Sequence, residues 1–123
     1  ADGNRWQDLL TANFRSGRTG SEILAATRRD AERAKLVSST YTHPIGFFGH
    51  AAGPTIGMWD DQSGGADGGK WPLYPDTAYA IEGNIKARVP EWGRQWVQVK
   101  LEQSAIFDGE KVTYLAGRQT QWH

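Results

Sequence analysis

The sequence predicts an α+β domain in which two amphipathic helices precede a mainly antiparallel sheet. Apolar residues recur at helical spacing in the first third of the chain, whereas β-branched and aromatic residues dominate the later strands. The pair Asp108-Gly109 is typical of a tight hairpin, which is predicted over residues 107–112. Helices and antiparallel strands that are segregated along the chain in this way are characteristic of the α+β class.

Two helices are predicted from local patterns. The first covers residues 4–15, where apolar side chains recur at i, i+3, i+4 and i+8, and Gly17 is well placed to end it. The apolar residues are Trp6, Leu9, Leu10 and Phe14. The second helix covers residues 20–36, because Thr19 and Glu22 have the spacing of a capping box and apolar residues then follow at helical spacing.

The strand pattern replaces the helical period after residue 36, and residues 37–42 are predicted as the first strand. Strict alternation from Thr77 onward predicts a strand with a row of small residues that ends at a carboxylate, Ala78, Ala80 and Glu82. The same alternation in the following strand turns Glu102 away from the core.

Two segments show no regular period. Residues 43–58 combine glycine and proline with apolar side chains, which indicates backbone packed closely around something. Residues 60–70 are polar and glycine-rich, and we expect them to form a mobile flap.

Composition limits the classes of protein that this chain can represent. With 123 residues the chain is predicted to be a single domain, 1–123, and the absence of cysteine excludes disulfides. The 14 basic and 14 acidic residues balance, so neither nucleic acid nor a membrane surface is an expected partner. No targeting signal is visible, and a chain without cysteine suits the cytoplasm and the periplasm equally.

Histidines and isolated carboxylates are the candidates for chemistry. His43 and His50 bracket the glycine-rich segment, and they could either ligate a metal or bond to loop carbonyls. His123 is the last residue, where we expect the chain to be frayed. Glu82 and Glu102 could be ordinary solvent-facing residues, but the row of alanines beside Glu82 leaves space that a site would need.

Three motifs in order resemble the C-terminal half of the pita-bread metallopeptidases, the superfamily of methionine aminopeptidase, aminopeptidase P, prolidase and creatinase. They are Gly49-His50-Ala51-Ala52-Gly53, Tyr79-Ala80-Ile81-Glu82 and Val99-Lys100-Leu101-Glu102. The longer phrase from His43 to Asp60, with the closing Gly117-Arg118-Gln119-Thr120, is similar to a bacterial branch of Xaa-Pro-type peptidases. The resemblance covers nearly the whole chain and implies half of a pita-bread fold.

The resemblance also implies a metal centre. His50, Glu82 and Glu102 would be ligands of two divalent ions, which could be Mn, Co, Zn or Fe. Glu102 would bridge the two ions, and Glu82 would couple metal coordination to proton transfer. Hydroxide held by the two ions would then hydrolyse short peptides of the Xaa-Pro type.

The sequence departs from the family at the upstream ligands. The family takes two further ligands, both aspartates, from a hairpin that precedes the histidine. Here only Asp2, Asp8 and Asp30 precede it, and none lies in such a context. We therefore expect the chain to be the C-terminal part of a larger catalytic domain, inactive alone and able to hold at most one ion weakly.

A second departure concerns histidine. Most family members place a second histidine seven residues after the ligand, and for His50 that position is Gly57. His43 is the candidate to fill this catalytic role.

The function predicted by the resemblance is that of a metal-dependent Xaa-Pro aminopeptidase fragment. Its partners would be a peptide substrate and the missing N-terminal half of the same protein, and a homodimer is compatible with the fold. The alternative is a pita-bread domain without catalysis that binds peptides or proteins. The implied metal ligands favour the enzyme. Gly57, at the position where the family has its second histidine, favours the binding module.

Overall fold

The computed structural model describes residues 1–121 and has the α+β architecture that the sequence predicts. Two helices, α1 (Asp2–Ala12) and α2 (Gly20–Arg33), precede one antiparallel sheet. Its strands are β1 (Val37–Thr40), β2 (His43–Gly46), β3 (Gly49–His50), β4 (Thr77–Val89), β5 (Gln95–Phe107) and β6 (Val112–Tyr114). His123 lies outside the described residues.

The helices end slightly earlier than the apolar pattern predicts. α1 stops at Ala12 because the side chain of Asn13 donates to the Leu9 carbonyl, at 2.9 Å, and to Asp30 on α2, also at 2.9 Å. Phe14 follows the helix and is nevertheless fully buried. These bonds join the end of α1 to the side of α2.

The capping box at the start of α2 is present. The Thr19 hydroxyl accepts from the Glu22 amide at 3.2 Å, and the Glu22 carboxylate accepts from the Thr19 amide at 2.8 Å. Hydrogen bonds from the backbone and side chain of Thr19 hold the pKa of Glu22 below its usual value. The helix ends at Arg33 because Lys35 adopts a left-handed conformation with φ 58°.

The sheet is built around one long pair of strands. β4 and β5 pair antiparallel over thirteen residues each, from Thr77 opposite Phe107 to Val89 opposite Gln95. β6 adds to the far side of β5 through the predicted hairpin. β1 and β2 lie end to end on the free side of β4, and β3 extends the sheet beyond β2.

The hairpin of β2 and β3 was not expected. The sequence predicts a glycine-rich loop over residues 43–58, and a segment with Pro44 followed by Gly46 and Gly49 carries no strand signal. The structure resolves this segment into β2 and β3, joined by Phe47 and Phe48 at the tip. The first strand ends at Thr40 and not at residue 42 as predicted, because Tyr41 and Thr42 form the break between β1 and β2.

The polar, glycine-rich segment 60–70 packs against α2 and β1, whereas the sequence predicts a mobile flap. Gln62 bonds to both the amide and the carbonyl of Thr40, at 2.9 and 2.8 Å. The Ser21 hydroxyl donates to the Gly64 carbonyl at 2.6 Å, and Arg28 donates to the Gln62 carbonyl. Gly69 lies so close to Ser21 that a side chain there would overlap the hydroxyl.

The two faces of the sheet have different roles. Odd-numbered residues of β4 and β5 face the helices and form the core with them. The core includes Trp6, Leu10, Phe14, Ile23, Leu24, Ile56, Leu73, Tyr79, Ile81, Ile85, Ala105 and Phe107. Burial raises the pKa of Tyr79 to about 12, so its hydroxyl is neutral within this core. Even-numbered residues form the opposite face, which the helices leave open.

Neither helix could cross a membrane, because no helix within residues 1–121 is long and apolar enough.

A strand glycine determines how closely α1 approaches the sheet. A Cβ atom at Gly83 would overlap ring carbons of Trp6 and the carbonyl oxygen of Ser39. Trp6 is fully buried, and the Ser39 carbonyl belongs to β1, which pairs with β4. Gly83 therefore allows the indole ring to lie directly on β4.

We expect Gly83→Ala to lower the free energy of unfolding by about 1–3 kcal/mol, because the added methyl group must displace backbone or a buried ring. Urea denaturation measures the change. Gly65→Ala is the control, since a Cβ there meets only the Ser63 hydroxyl, at 3.3 Å. A loss at Gly83 no larger than the loss at Gly65 would contradict this account of the packing.

Candidate functional site

The candidate site lies on the even-numbered face of β4 and β5. Glu82 and Glu102 are directly opposite each other across the two strands, and both lie on the face away from the core that the alternation predicts. Ala80 and its neighbour across the pair, Ser104, are small and leave room beside the carboxylates. His43 pairs with Ala80 from the other side, which places its imidazole on the same face.

His43 contacts Glu82 directly. The Nε2 atom of His43 lies 3.3 Å from Oε2 of Glu82, and Nδ1 lies 3.0 Å from the Pro44 carbonyl oxygen. His43 is 7% exposed, whereas Glu82 is only partly buried. The imidazole therefore orients the carboxylate from within the sheet while the carboxylate reaches solvent.

The two ring nitrogens of His43 have different partners. The Pro44 carbonyl can only accept, so Nδ1 of His43 must carry a proton to bond to it. Nε2 is therefore the ring nitrogen that faces Oε2 of Glu82 and is available to a ligand on the open face.

His50 lies on the outer side of His43. The two ring centroids are 4.1 Å apart, and the hydroxyl of Tyr41 lies 3.4 Å from Nε2 of His50. His50 is exposed, and in the described part of the chain it makes no ion-pair contact with either glutamate. The imidazole beside Glu82 is thus that of His43, although the resemblance alone assigns the ligand role to His50.

Thr42 holds the backbone of Glu82, and sequence analysis did not identify it. Its hydroxyl donates to the Glu82 carbonyl at 3.0 Å and accepts from the Glu82 amide at 3.1 Å, and the Tyr41 amide donates to the same carbonyl. Because β1 and β2 are interrupted here, a side chain replaces the missing strand partner. A threonine between two strand segments has no distinctive local signal.

The donor atoms of this site suit a divalent metal in kind. Imidazole nitrogen and carboxylate oxygen are ligands of Mn, Fe, Co and Zn. Within residues 1–121, however, no group of three His, Cys, Asp or Glu side chains lies close enough together to hold an ion. The described residues therefore offer matching donors without forming a complete metal site.

The fold is similar to part of a solved structure. Among solved structures, the X-Pro aminopeptidase from Thermotoga maritima MSB8 matches 96% of this chain with a TM-score of 0.64, at 15% sequence identity. The chain spans 30% of that protein's length. No protein-family profile and no curated protein matches the sequence. The likeness shows the fold alone, and this fold is consistent with the half of a pita-bread fold that the resemblance implied.

We expect Glu102→Gln to raise the free energy of unfolding by about 0.2–1 kcal/mol, because two carboxylates directly opposite each other in a sheet repel. Chemical denaturation at low salt measures this gain, which added salt should reduce. Glu110→Gln, in the hairpin between β5 and β6, is the control and should leave stability nearly unchanged. A lower stability of Glu102→Gln would show that the two carboxylates do not repel.

Proposed function

We propose that this chain is the C-terminal half of the catalytic domain of a metal-dependent aminopeptidase of the Xaa-Pro type. The observation that carries the proposal is that His43, Glu82 and Glu102 share the open face of the sheet by register, with His43 in contact with Glu82. The likeness to an X-Pro aminopeptidase over nearly the whole chain supports it.

His43 is the ligand histidine in this proposal, together with Glu82 and Glu102. His50 then stands seven residues after the ligand, which is where the resembled family places its second histidine. Its exposure and its contact with Tyr41 suit a residue that meets substrate. With this exchange of roles, Gly57 no longer marks a missing catalytic group.

Each residue of the proposed site would have its own task. Divalent ions at the site would act as Lewis acids toward the scissile carbonyl of a peptide. Oε2 of Glu82, which lies 3.3 Å from Nε2 of His43, would take up a proton and return it. Thr42 positions Glu82 by fixing its backbone, and Glu102 supplies a second carboxylate from the opposite strand.

The remaining ligands would come from an N-terminal half of the same polypeptide. The chain spans 30% of the structural neighbour, and the described residues contain no three-ligand group. Peptide substrate and that N-terminal half are the partners we propose. A second copy of the chain is a further partner compatible with the open sheet.

A binding module without catalysis is the second candidate. The absence of a three-ligand group from residues 1–121 favours it, because such a module needs no metal. The same open face would then hold a peptide without cleaving it. Metal titration and peptide hydrolysis distinguish the two candidates.

We expect the isolated chain to bind at most one equivalent of Mn²⁺ or Zn²⁺, and weakly, because the other anionic ligands are missing. His43→Ala should weaken this binding by at least about tenfold, and His50→Ala should weaken it less. Isothermal titration calorimetry measures both, with all proteins carrying His123→Ala so that the terminal imidazole does not contribute.

Two outcomes would contradict this assignment. Tight binding of two equivalents would show that the chain already holds the complete site. A larger loss for His50→Ala than for His43→Ala would return the ligand role to His50. Glu110→Gln serves as the matched control for loss of a carboxylate away from the site.

We expect hydrolysis of Xaa-Pro peptides by the isolated chain to be at background. A longer polypeptide that includes the N-terminal half should hydrolyse them with Mn²⁺, Co²⁺ or Zn²⁺. In that polypeptide Glu82→Gln should lower kcat by about 10²- to 10⁴-fold, because it removes a negative ligand and a proton acceptor without changing shape. Release of the N-terminal amino acid measures turnover.

The binding-module candidate makes the opposite claim. If the longer polypeptide turns over no Xaa-Pro peptide with any of these metals, while Glu82→Gln still binds peptide as tightly as the wild type, catalysis is excluded. The second candidate would then replace the first.

A further inference from the structure

The open face of β4 and β5 changes charge along its length. Beyond the paired carboxylates, the next three cross-strand pairs are Asn84 with Lys100, Lys86 with Gln98, and Arg88 with Trp96. We call Lys86, Arg88 and Lys100 the basic row. All three are exposed, and no acidic residue of β4 or β5 shares this face with them beyond the carboxylate pair.

The cations are confined to one side of the strand pair. The opposite face of the same segment carries mainly apolar side chains, namely Ile85, Ala87, Val89, Val97, Val99 and Leu101, with Gln95 at its end. None of the ion pairs within residues 1–121 includes a member of the basic row. The three charges are therefore free to meet an anion from outside the chain.

One member of the row is held in place by an aromatic ring. The guanidinium carbon of Arg88 lies 5.1 Å from the ring centroid of Trp96, directly across the strand pair. Trp96 is 57% exposed and offers an apolar surface beside the charge. This end of the face can therefore contact both an anion and an apolar group next to it.

The spacing of the row matches a short peptide. Strands rise about 3.4 Å per residue, so the three pairs lie about 7, 14 and 20 Å beyond the carboxylate pair. An extended peptide has nearly the same rise. A peptide whose amino end lies at Glu82 and Glu102 would thus bring its C-terminus to the basic row within a few residues.

We propose that the basic row binds the C-terminal carboxylate of short peptides, of about three to five residues, that lie along the open face. A free peptide carries a positive amino end and a negative carboxyl end, and the face carries acid followed by base in the same order. The assignment of the amino end to the carboxylate pair rests on the proposed function. It makes short unblocked peptides the substrate class of this site.

The overall charge favours this ligand over a polyanion. The chain has no net charge, and a nucleic acid that covered the basic row would also lie against Glu82 and Glu102. A short free peptide avoids that repulsion, because its positively charged amino end meets the acidic pair while its carboxylate meets the basic row. Binding of an oligonucleotide is therefore an outcome that the test must include.

The test compares two forms of one peptide on the ¹⁵N-labelled chain. Ala-Pro-Ala-Ala as the free acid should shift the amide signals of Lys86, Arg88 and Lys100, and its C-terminal amide should bind more weakly. EDTA is present throughout, so that the result does not depend on a metal. An exposed ion pair corresponds to about two- to fivefold in affinity, and we expect that loss for Lys86→Gln and Lys100→Gln. Arg88→Gln should cost less with this tetrapeptide, because its pair lies about 20 Å from the carboxylate pair.

Controls separate this surface from general charge. Lys111→Gln, between β5 and β6, removes an exposed cation elsewhere and should leave affinity unchanged. High salt should abolish the difference between acid and amide. Equal binding of the two peptide forms would overturn the proposal, as would tighter binding of a single-stranded oligonucleotide through the same residues.

The outcome is distinguishable from failure of the proposed function. If the free acid binds preferentially through the basic row while neither metal binding nor hydrolysis is found, the peptide site stands and the enzyme does not. If metal binding and hydrolysis are found but acid and amide bind equally, the enzyme stands and the peptide site does not.

Discussion

The pairing of β4 with β5 is the constraint on which the rest of the structure depends. Its thirteen-residue register assigns every side chain of both strands to one of two faces. A slip of one residue in either strand would turn a core residue such as Tyr79 or Phe107 toward the open face. Packing of Trp6 on Gly83 opposes such a slip, because no other residue of β4 leaves room for the indole ring. The core and the candidate site are thus fixed by the same set of backbone hydrogen bonds.

The register also imposes an electrostatic cost that a purely structural face would avoid. Two carboxylates lie opposite each other, and a nearly buried imidazole contacts one of them. Core packing gains nothing from these groups, since they lie on the face that the helices do not cover. Retaining them at adjacent positions is understandable if a cation or a substrate amine compensates their charge. The same reasoning applies to Thr42, whose hydroxyl replaces a strand partner at Glu82.

Local patterns in the sequence predict much of this arrangement. The capping box predicted the start of α2, and alternation placed Glu82 and Glu102 on the face away from the core. The β2–β3 hairpin could not be predicted, because Pro44 and the neighbouring glycines carry no strand preference and the pairing partner of β2 lies far along the chain. The contact between His43 and Glu82 depends on that pairing. Sequence spacing therefore offered two candidate histidines but could not show which of them meets the carboxylate.

The two faces of the strand pair differ in what they bury. The helices pack on the odd-numbered face around Tyr79, Ile81 and Ile85, whereas Val97 and Val99 farther along the pair are only partly buried. The even-numbered face is polar from His43 to Arg88, and its exposure to water carries little hydrophobic penalty. A fold divided in this way can present carboxylates and imidazoles at one end and cations at the other, and leave their completion to another segment. The gradient from acid to base then gives the face a direction, and direction is what an enzyme needs to distinguish one end of a peptide from the other.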